Sequence, residues 1–225
     1  MNNFFKSPFF TDTKTQTMFD DQASAKEHES QYSQINIEKE IKRQTDNTLR
    51  STQYTDDAPL GLAIDSSKHI KTAIDIGSGT GWATNLLSET KEVVYGIEPS
   101  ISAIKIAKTI HSNNKKITWV NDTAQNGLKN ISVQEPVLIN SLCVLSHLKD
   151  NVVMEICKEI NRLAKPGSVL SFSECYGCDY DDGNLWHVRA ETWWKEQLPG
   201  WKFDFCGRTI NHPQGARKNF LATKL

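Results

Sequence analysis

The sequence predicts an α/β domain built on a doubly wound, mostly parallel sheet, and three observations carry that prediction. From residue 70 onward, short β-rich apolar runs alternate with longer amphipathic stretches, a rhythm that means βαβ units with right-handed crossovers. Three glycines stand at alternate positions behind an acid in "TAIDIGSGTGWATNLL", residues 72–87. The last two apolar runs, "WKFDFCGRTI" and "ARKNFLATKL", are separated only by the turn-rich "NHPQG", and so tight a link forces its strands antiparallel.

In chain order, "HIKTAIDIG" reads as the first strand and "GWATNLLSETK" as the first helix of this unit. "EVVYGIEPS" is a second strand, and "ISAIKIAKTIHSNN", apolar at 101, 104, 106, 107 and 110, a second helix. "KITWVNDTA" is a third strand and "PVLINSLCVLSHL" holds a fourth; "NVVMEICKEINRLAKPG" is an amphipathic helix closed by Pro-Gly. "SVLSFSECY" is a fifth strand, "HVRAETWWKEQL" a helix stopped by Pro199-Gly200, and the final pair brings the strands to seven. No internal repeat appears. In the closing segments Trp193, Trp194 and Trp201 read as core or interface residues.

Residues 1–69 differ: they are polar and almost without glycine before Gly61. "SAKEHESQYSQINIEKEIKRQTDNTLR" holds helix formers with Tyr32, Ile35, Ile37, Ile41 and Leu49 partly on one face, which predicts one or two helices. The chain thus divides into an N-terminal helical extension and possible lid, 1–69, and the α/β domain, 70–225. The aromatic start (Phe4, Phe5, Phe9, Phe10, Phe19) is either an ordinary chain-end tail or a lid that folds over a ligand.

Across 225 residues, 26 Lys and Arg face 27 Asp and Glu, a formal charge of −1. No strongly basic field awaits a nucleic acid. Five cysteines, an odd number, make no disulfide framework and suit a reducing compartment. No run of about 18 apolar residues could span a bilayer, and the opening "MNNFFKSPFF" is broken by Lys6 and Pro8 and lacks the basic start of a secretory leader. The expectation is a cytoplasmic chain without membrane contact.

The glycine run reads as a nucleotide cradle, because glycine allows positive φ and lets a ligand approach the backbone. A dinucleotide fingerprint would place a third glycine where Trp82 stands, and no Gly-Lys-Ser/Thr follows to make a phosphate loop. On the ordered set Asp75, Gly77, Gly79, Gly81, then Glu98 in "GIEPS", Asp122 in "VNDTA" and Asn140 in "LINSLCVLSHLKD", the region 70–225 resembles the class I S-adenosylmethionine-dependent methyltransferases of small-molecule type. The closing antiparallel strand belongs to the same resemblance.

That resemblance implies a Rossmann-like fold and S-adenosylmethionine as cofactor. It assigns Asp75, Gly77, Ser78, Gly79 and Gly81 to the cofactor's methionine end. Glu98, with Pro99 beside it, would accept from the ribose hydroxyls, and Asp122, with Thr123 and Ala124, would serve the adenine. Asn140 and Leu142 close the fourth motif, and "LSHLKD" looks like the L-x-H-x-x-D stretch of many small-molecule members.

The stretch Asn140-Ser-Leu-Cys143 lacks the Pro-Pro-aromatic of amino-purine methylators, and no Pro-Cys nucleophile exists. The expected acceptor is therefore a small molecule methylated at oxygen or nitrogen, with no nucleic-acid partner and a monomer or homodimer as the assembly. Cys143 is expected to pack behind its strand. Methyl transfer is an in-line displacement governed by alignment, and a base matters only where the attacking atom must lose a proton. His147 leads for that role and His187 follows; helix capping or loop packing is the competing reading for each. Cys175 and Cys178 with Asp179, Asp181 and Asp182 are too few and wrongly spaced for zinc or calcium, so no metal is expected. Tyr176, Tyr180 and Trp186 read instead as a pocket wall. The alternatives are a non-catalytic binder of the same cofactor and an NAD(P)-dependent reductase, the latter disfavoured by Trp82 and the closing hairpin.

Overall fold

The computed structural model describes residues 29–53, 59–175, 187, 189–205, 210–212 and 215–225. The aromatic stretch 1–20, expected as tail or lid, and the expected pocket wall Tyr176, Tyr180 and Trp186 lie outside the described residues, as do Cys178 and the three acids after it.

The strands are β1 (Thr72–Ile76), β2 (Val93–Ile97), β3 (Ile117–Val120), β4 (Val137–Leu142), β5 (Val169–Cys175), β6 (Trp201–Phe205), β7 (Ile210–His212) and β8 (Gly215–Lys224). The helices are α1 (Ile37–Gln53), α2 (Pro59–Ser66), α3 (Trp82–Ser88), α4 (Ile101–Ile110), α5 (Ala124–Lys129), α6 (Asp150–Leu163) and α7 (Glu191–Gln197), with a further helical stretch at 29–33. A one-turn 3₁₀ helix, Leu145–His147, follows β4.

The sheet runs β3-β2-β1-β4-β5-β8-β6, with β7 paired to β8 off that path. Pairs β3/β2, β2/β1, β1/β4 and β4/β5 are parallel, while β8 runs antiparallel to both β5 and β6. The path holds the expected seven strands, mostly parallel, with the antiparallel strand inserted near the C-terminal edge, and β7 adds an eighth. The apolar run at 201–210 yields two strands rather than one, because β6 ends at Phe205 and β7 starts at Ile210. After β3 the chain returns to the far side of β1 to lay down β4, so the strand order reverses at β1/β4, where open α/β sheets take their ligands.

Both faces of the sheet are covered, so its central strands are buried throughout and read as continuous apolar runs. On one face Ile74, Ile97, Ile139 and Phe172 pack with Leu128 of α5, Ile156 and Ile160 of α6 and Trp194 of α7. On the other, Ala73, Val94, Leu138 and Val169 pack with Leu60 and Ala63 of α2 and Leu87 of α3, and Trp82 lies half-buried against this cluster. Trp194 and Trp201 are buried core residues, and Phe172 meets Phe220 edge-on at 5.1 Å between ring centroids.

Two helices are not expected from the sequence. The six-residue α5 carries Gly127 in its middle, where a Cβ would come within 2.7 Å of Ile97 Cγ2. Close helix–sheet approach demands the glycine, and the glycine erases the local helix signal. In α2, "PLGLAIDS" is apolar almost all round, so it shows no amphipathic period while burying Leu60 and Ala63.

Candidate cofactor site at the carboxyl ends of the parallel strands

Because β1 to β4 are parallel, the segments that follow them gather on one edge of the sheet. Gly77–Gly81 follow β1, Glu98 and Pro99 follow β2, Asp122–Ala124 follow β3, and Asn140 and Leu142 end β4. Every residue that the sequence nominated for the cofactor stands on this edge.

The glycine loop turns over the end of β2: the N–H groups of Gly77 and Ser78 both donate to Ile97 O, at 2.9 and 3.0 Å. Gly77, Gly79 and Gly81 have φ of 69°, 52° and 93°, a region that side-chain-bearing residues enter only at a cost. Space is as restrictive as conformation. A Cβ on Gly77 would lie 2.2 Å from Val144 Cγ2, and one on Gly81 2.5 Å from Trp119 Cη2.

Glu98 is buried and accepts the Gly79 N–H at Oε2 and the Ser100 N–H at Oε1, each at 3.0 Å. Burial pushes its carboxyl above the usual range, and the two N–H bonds oppose that rise. An ionised carboxylate offers about four acceptor sites, so two remain for ribose hydroxyls. Asn121 Nδ2 donates to the carbonyls of Glu98 and Pro99 at 3.0 and 2.9 Å, tying the end of β3 to that of β2. Asp122 Oδ1 accepts from the Thr123 N–H at 2.8 Å, which leaves its other oxygen for an amino group.

Asp75 is turned inward. Its cross-strand neighbour in β4 is Asn140, whose Nδ2 donates to Oδ1 at 2.7 Å, while Thr84 Oγ1 of α3 donates to Oδ2 at 2.6 Å. Burial pushes the carboxyl up to about 6, against the two hydrogen bonds. This acid braces β1, β4 and α3 beneath the glycine loop.

Three residues of the nominated set each carry a buried polar atom with no hydrogen-bond partner among the described residues: Ser78 Oγ, Thr123 Oγ1 and Asn140 Oδ1, one each after or within β1, β3 and β4. Ser146 Oγ, in the loop after β4, is a fourth. Buried polar atoms are nearly always satisfied in native proteins, so four orphans on one edge fit a polar ligand that spans three strand ends.

Residues of the N-terminal extension pack onto this edge. Tyr32 Oη stands 3.0 Å from where a Cβ on Gly79 would be. Gln44 Nε2 of α1 donates to Thr80 O and Oγ1 at 3.0 and 3.1 Å, and the buried Glu40 carboxylate bonds Thr80 Oγ1 and Arg43. Glu29 accepts from the Ser102 N–H at 3.1 Å and from Ser100 Oγ at 2.8 Å, at the start of α4. No motif marks these residues; only their helical spacing on 29–44 was readable.

His147 ends the 3₁₀ turn, and the His187 N–H donates to Ser146 O at 2.7 Å, so the two histidines nominated as bases flank the same loop. Both are half-buried. Cys143 does not pack behind β4 as expected: it is half-buried at φ 59°, with its N–H donating to Ser173 O at 2.8 Å. The strand has ended there, and the chain must turn sharply across β5. Among the described residues no group of His, Cys, Asp or Glu could hold a metal ion, and no helix is long and apolar enough to cross a membrane.

Residues 74–172 match the model of a methyltransferase domain family. Among curated proteins no sequence matches the chain. Solved structures of similar fold include the magnesium protoporphyrin IX methyltransferase of Synechocystis PCC 6803 with bound SAM, at 16% identity and TM-score 0.57, covering 85% of this chain and 86% of that one. The DhpI–SAH complex is 14% identical over 89% of this chain and 96% of that one, with a TM-score of 0.54. An rRNA methylase from Streptococcus thermophilus is 15% identical over 75% and 98%, with a TM-score of 0.56. At such identities the likeness to each is one of fold. With the matched domain model, the strand order and the acid-and-glycine cradle taken together, residues 74–172 carry a methyltransferase domain, and the chain has the Rossmann-like fold of the S-adenosylmethionine-dependent methyltransferases.

Proposed function

We propose that the protein transfers the methyl group of S-adenosylmethionine to an oxygen or nitrogen of a small-molecule acceptor, in the cytoplasm, beneath a lid formed by the N-terminal extension. The observation that carries the cofactor placement is the ring of unspent polar capacity around the glycine loop: Ser78 Oγ, Thr123 Oγ1 and Asn140 Oδ1 orphaned, and Glu98 with two acceptor sites in hand. Glu98 takes the ribose, Asp122 the adenine amino group, and the Gly77–Gly81 backbone the methionine end, with Pro99, Ala124 and Leu142 shaping the walls.

When bound, the cofactor supplies a sulfonium methyl open to in-line attack. The chain's part is then alignment and, for a protonated nucleophile, proton removal. His147 and His187, on either side of Ser146, are the bases that the loop after β4 offers. A small acceptor is supported by the cover that residues 29–44 place over Gly79 and Thr80, which suits an enclosed site better than an open groove, and by a formal charge of −1.

The test is release of S-adenosylhomocysteine from the full chain given S-adenosylmethionine with a panel of phenols, carboxylates and amines, and separately with an rRNA transcript. Turnover with a small acceptor supports the reading. Turnover with the transcript alone replaces the acceptor class. Saturable binding without turnover on any acceptor favours a non-catalytic binder, and uptake of a pyridine nucleotide instead overturns the cofactor placement.

A further inference from the structure

We propose that Glu174 and Arg189 form a positioning pair that holds the loop between β4 and α6 against the glycine loop, one gripping its N–H groups and the other its carbonyls. The inference rests on the cofactor placement above.

Glu174, at the end of β5, is fully buried. Its Oε1 accepts from Ser141 Oγ at 2.8 Å and from the Val144 N–H at 3.2 Å, and its Oε2 accepts from the Ser146 N–H at 3.0 Å. Arg189 is also buried. Its Nη1 donates to Leu145 O at 2.8 Å, its Nη2 to Leu148 O and its Nε to Asp150 Oδ1 at 2.9 Å. The guanidinium lies 5.0 Å from the Trp193 ring centroid. Four residues of the loop, Val144, Leu145, Ser146 and Leu148, thus have backbone groups divided between a buried carboxylate and a buried guanidinium.

Charge-assisted bonds of this kind are strong and directional, and a network this closed admits one loop conformation. The conformation it holds is strained: Cys143 enters the loop at φ 59°, a geometry that persists only where its surroundings over-determine it. Its consequence lies at the cradle. Val144, whose N–H Glu174 holds, places Cγ2 where a side chain on Gly77 would be. The same loop carries Ser146 and His147. Neither Glu174 nor Arg189 touches the cradle, so each acts through the loop.

The experiment measures S-adenosylhomocysteine affinity by calorimetry, well below each variant's melting temperature. Wild-type binding comes first; its absence would sink the cofactor placement rather than the pair. Glu174→Gln and Arg189→Lys should each weaken binding about tenfold. Glu159→Gln, which strips another buried carboxylate of its charge beside Arg162 near the other end of α6, should leave it within twofold. Glu174→Gln combined with Val144→Ala should lose less than the sum of the single losses, because both act through one loop. Should Glu174→Gln fail to fold, Ser141→Ala, which removes a single donor to the carboxylate, replaces it. Folded variants that bind within threefold of wild type, or losses that simply add, would reduce Glu174 and Arg189 to structural residues and overturn the proposal.

Discussion

The Glu98 carboxylate accepts the Gly79 backbone N–H at 3.0 Å, so the acid that ends the second strand is bonded to the middle of the loop that follows the first. One side chain thereby links two halves of the cradle and still has acceptor capacity toward a ligand. Replacing it with alanine removes both functions. A charge-assisted bond contributes roughly 1.5–3 kcal/mol, so Glu98→Ala, losing the net equivalent of one, should weaken S-adenosylhomocysteine binding about 10- to 100-fold by titration calorimetry. Unchanged affinity would place the ribose elsewhere.

Asp75 predicts a pH signature. Burial raises its carboxyl from 3.8 to about 6, so the folded chain holds that proton more tightly than the unfolded chain. The stability contributed by this group is fully present below about pH 4 and is lost as pH rises toward 6, a change of about 3 kcal/mol. Asp75→Asn cannot ionise. The variant's melting temperature should therefore improve relative to wild type between pH 4.5 and 7, then level off, by scanning calorimetry. An offset independent of pH would mean that Asp75 keeps an ordinary acidity.

Gly77 separates backbone from packing. Alanine there must adopt φ 69° and place its methyl on Val144 Cγ2, costing roughly 1–2 kcal/mol for the left-handed conformation and about 1–3 for the overlap. Gly77→Ala should lose about 2–5 kcal/mol in urea unfolding. Adding Val144→Ala should return the overlap part and leave the backbone part. No recovery in the double variant would show that Val144 is not the obstacle.

The proposed lid makes a kinetic prediction. Gln44 gives two hydrogen bonds to Thr80, each contributing about 0.5–1.5 kcal/mol. If residues 29–44 must lift for exchange, Gln44→Ala should speed S-adenosylhomocysteine release about tenfold in stopped-flow fluorescence. An unchanged release rate would leave the extension a fixed wall.

Much of this site was legible because its chemistry is local. Asp75, the three glycines, Glu98 and Asp122 each sit a few residues from a strand end, and alternation of strands and helices tells which end. Glu98 stands just past β2, where the spacing places it. Asp75 differs in detail: its spacing marks it as part of the cradle, but the cross-strand partner Asn140 and the helical Thr84 that turn it inward come from distant segments. Helices α2 and α5 escaped because one is apolar nearly all round and the other is interrupted by a glycine that only Ile97 explains.

The order of hydrophobic runs, the acid-and-glycine spacing and the tight final turn determined the fold and the edge on which the ligand chemistry collects, since periodicity and turn geometry act over a few neighbouring residues. What covers that edge and what holds its loops was decided only by tertiary structure. Tyr32 over Gly79, Val144 against Gly77, and Glu174 and Arg189 gripping residues 144–148 join positions dozens of residues apart. Such contacts depend on how strands are ordered and how closely helices approach, and no local pattern encodes either.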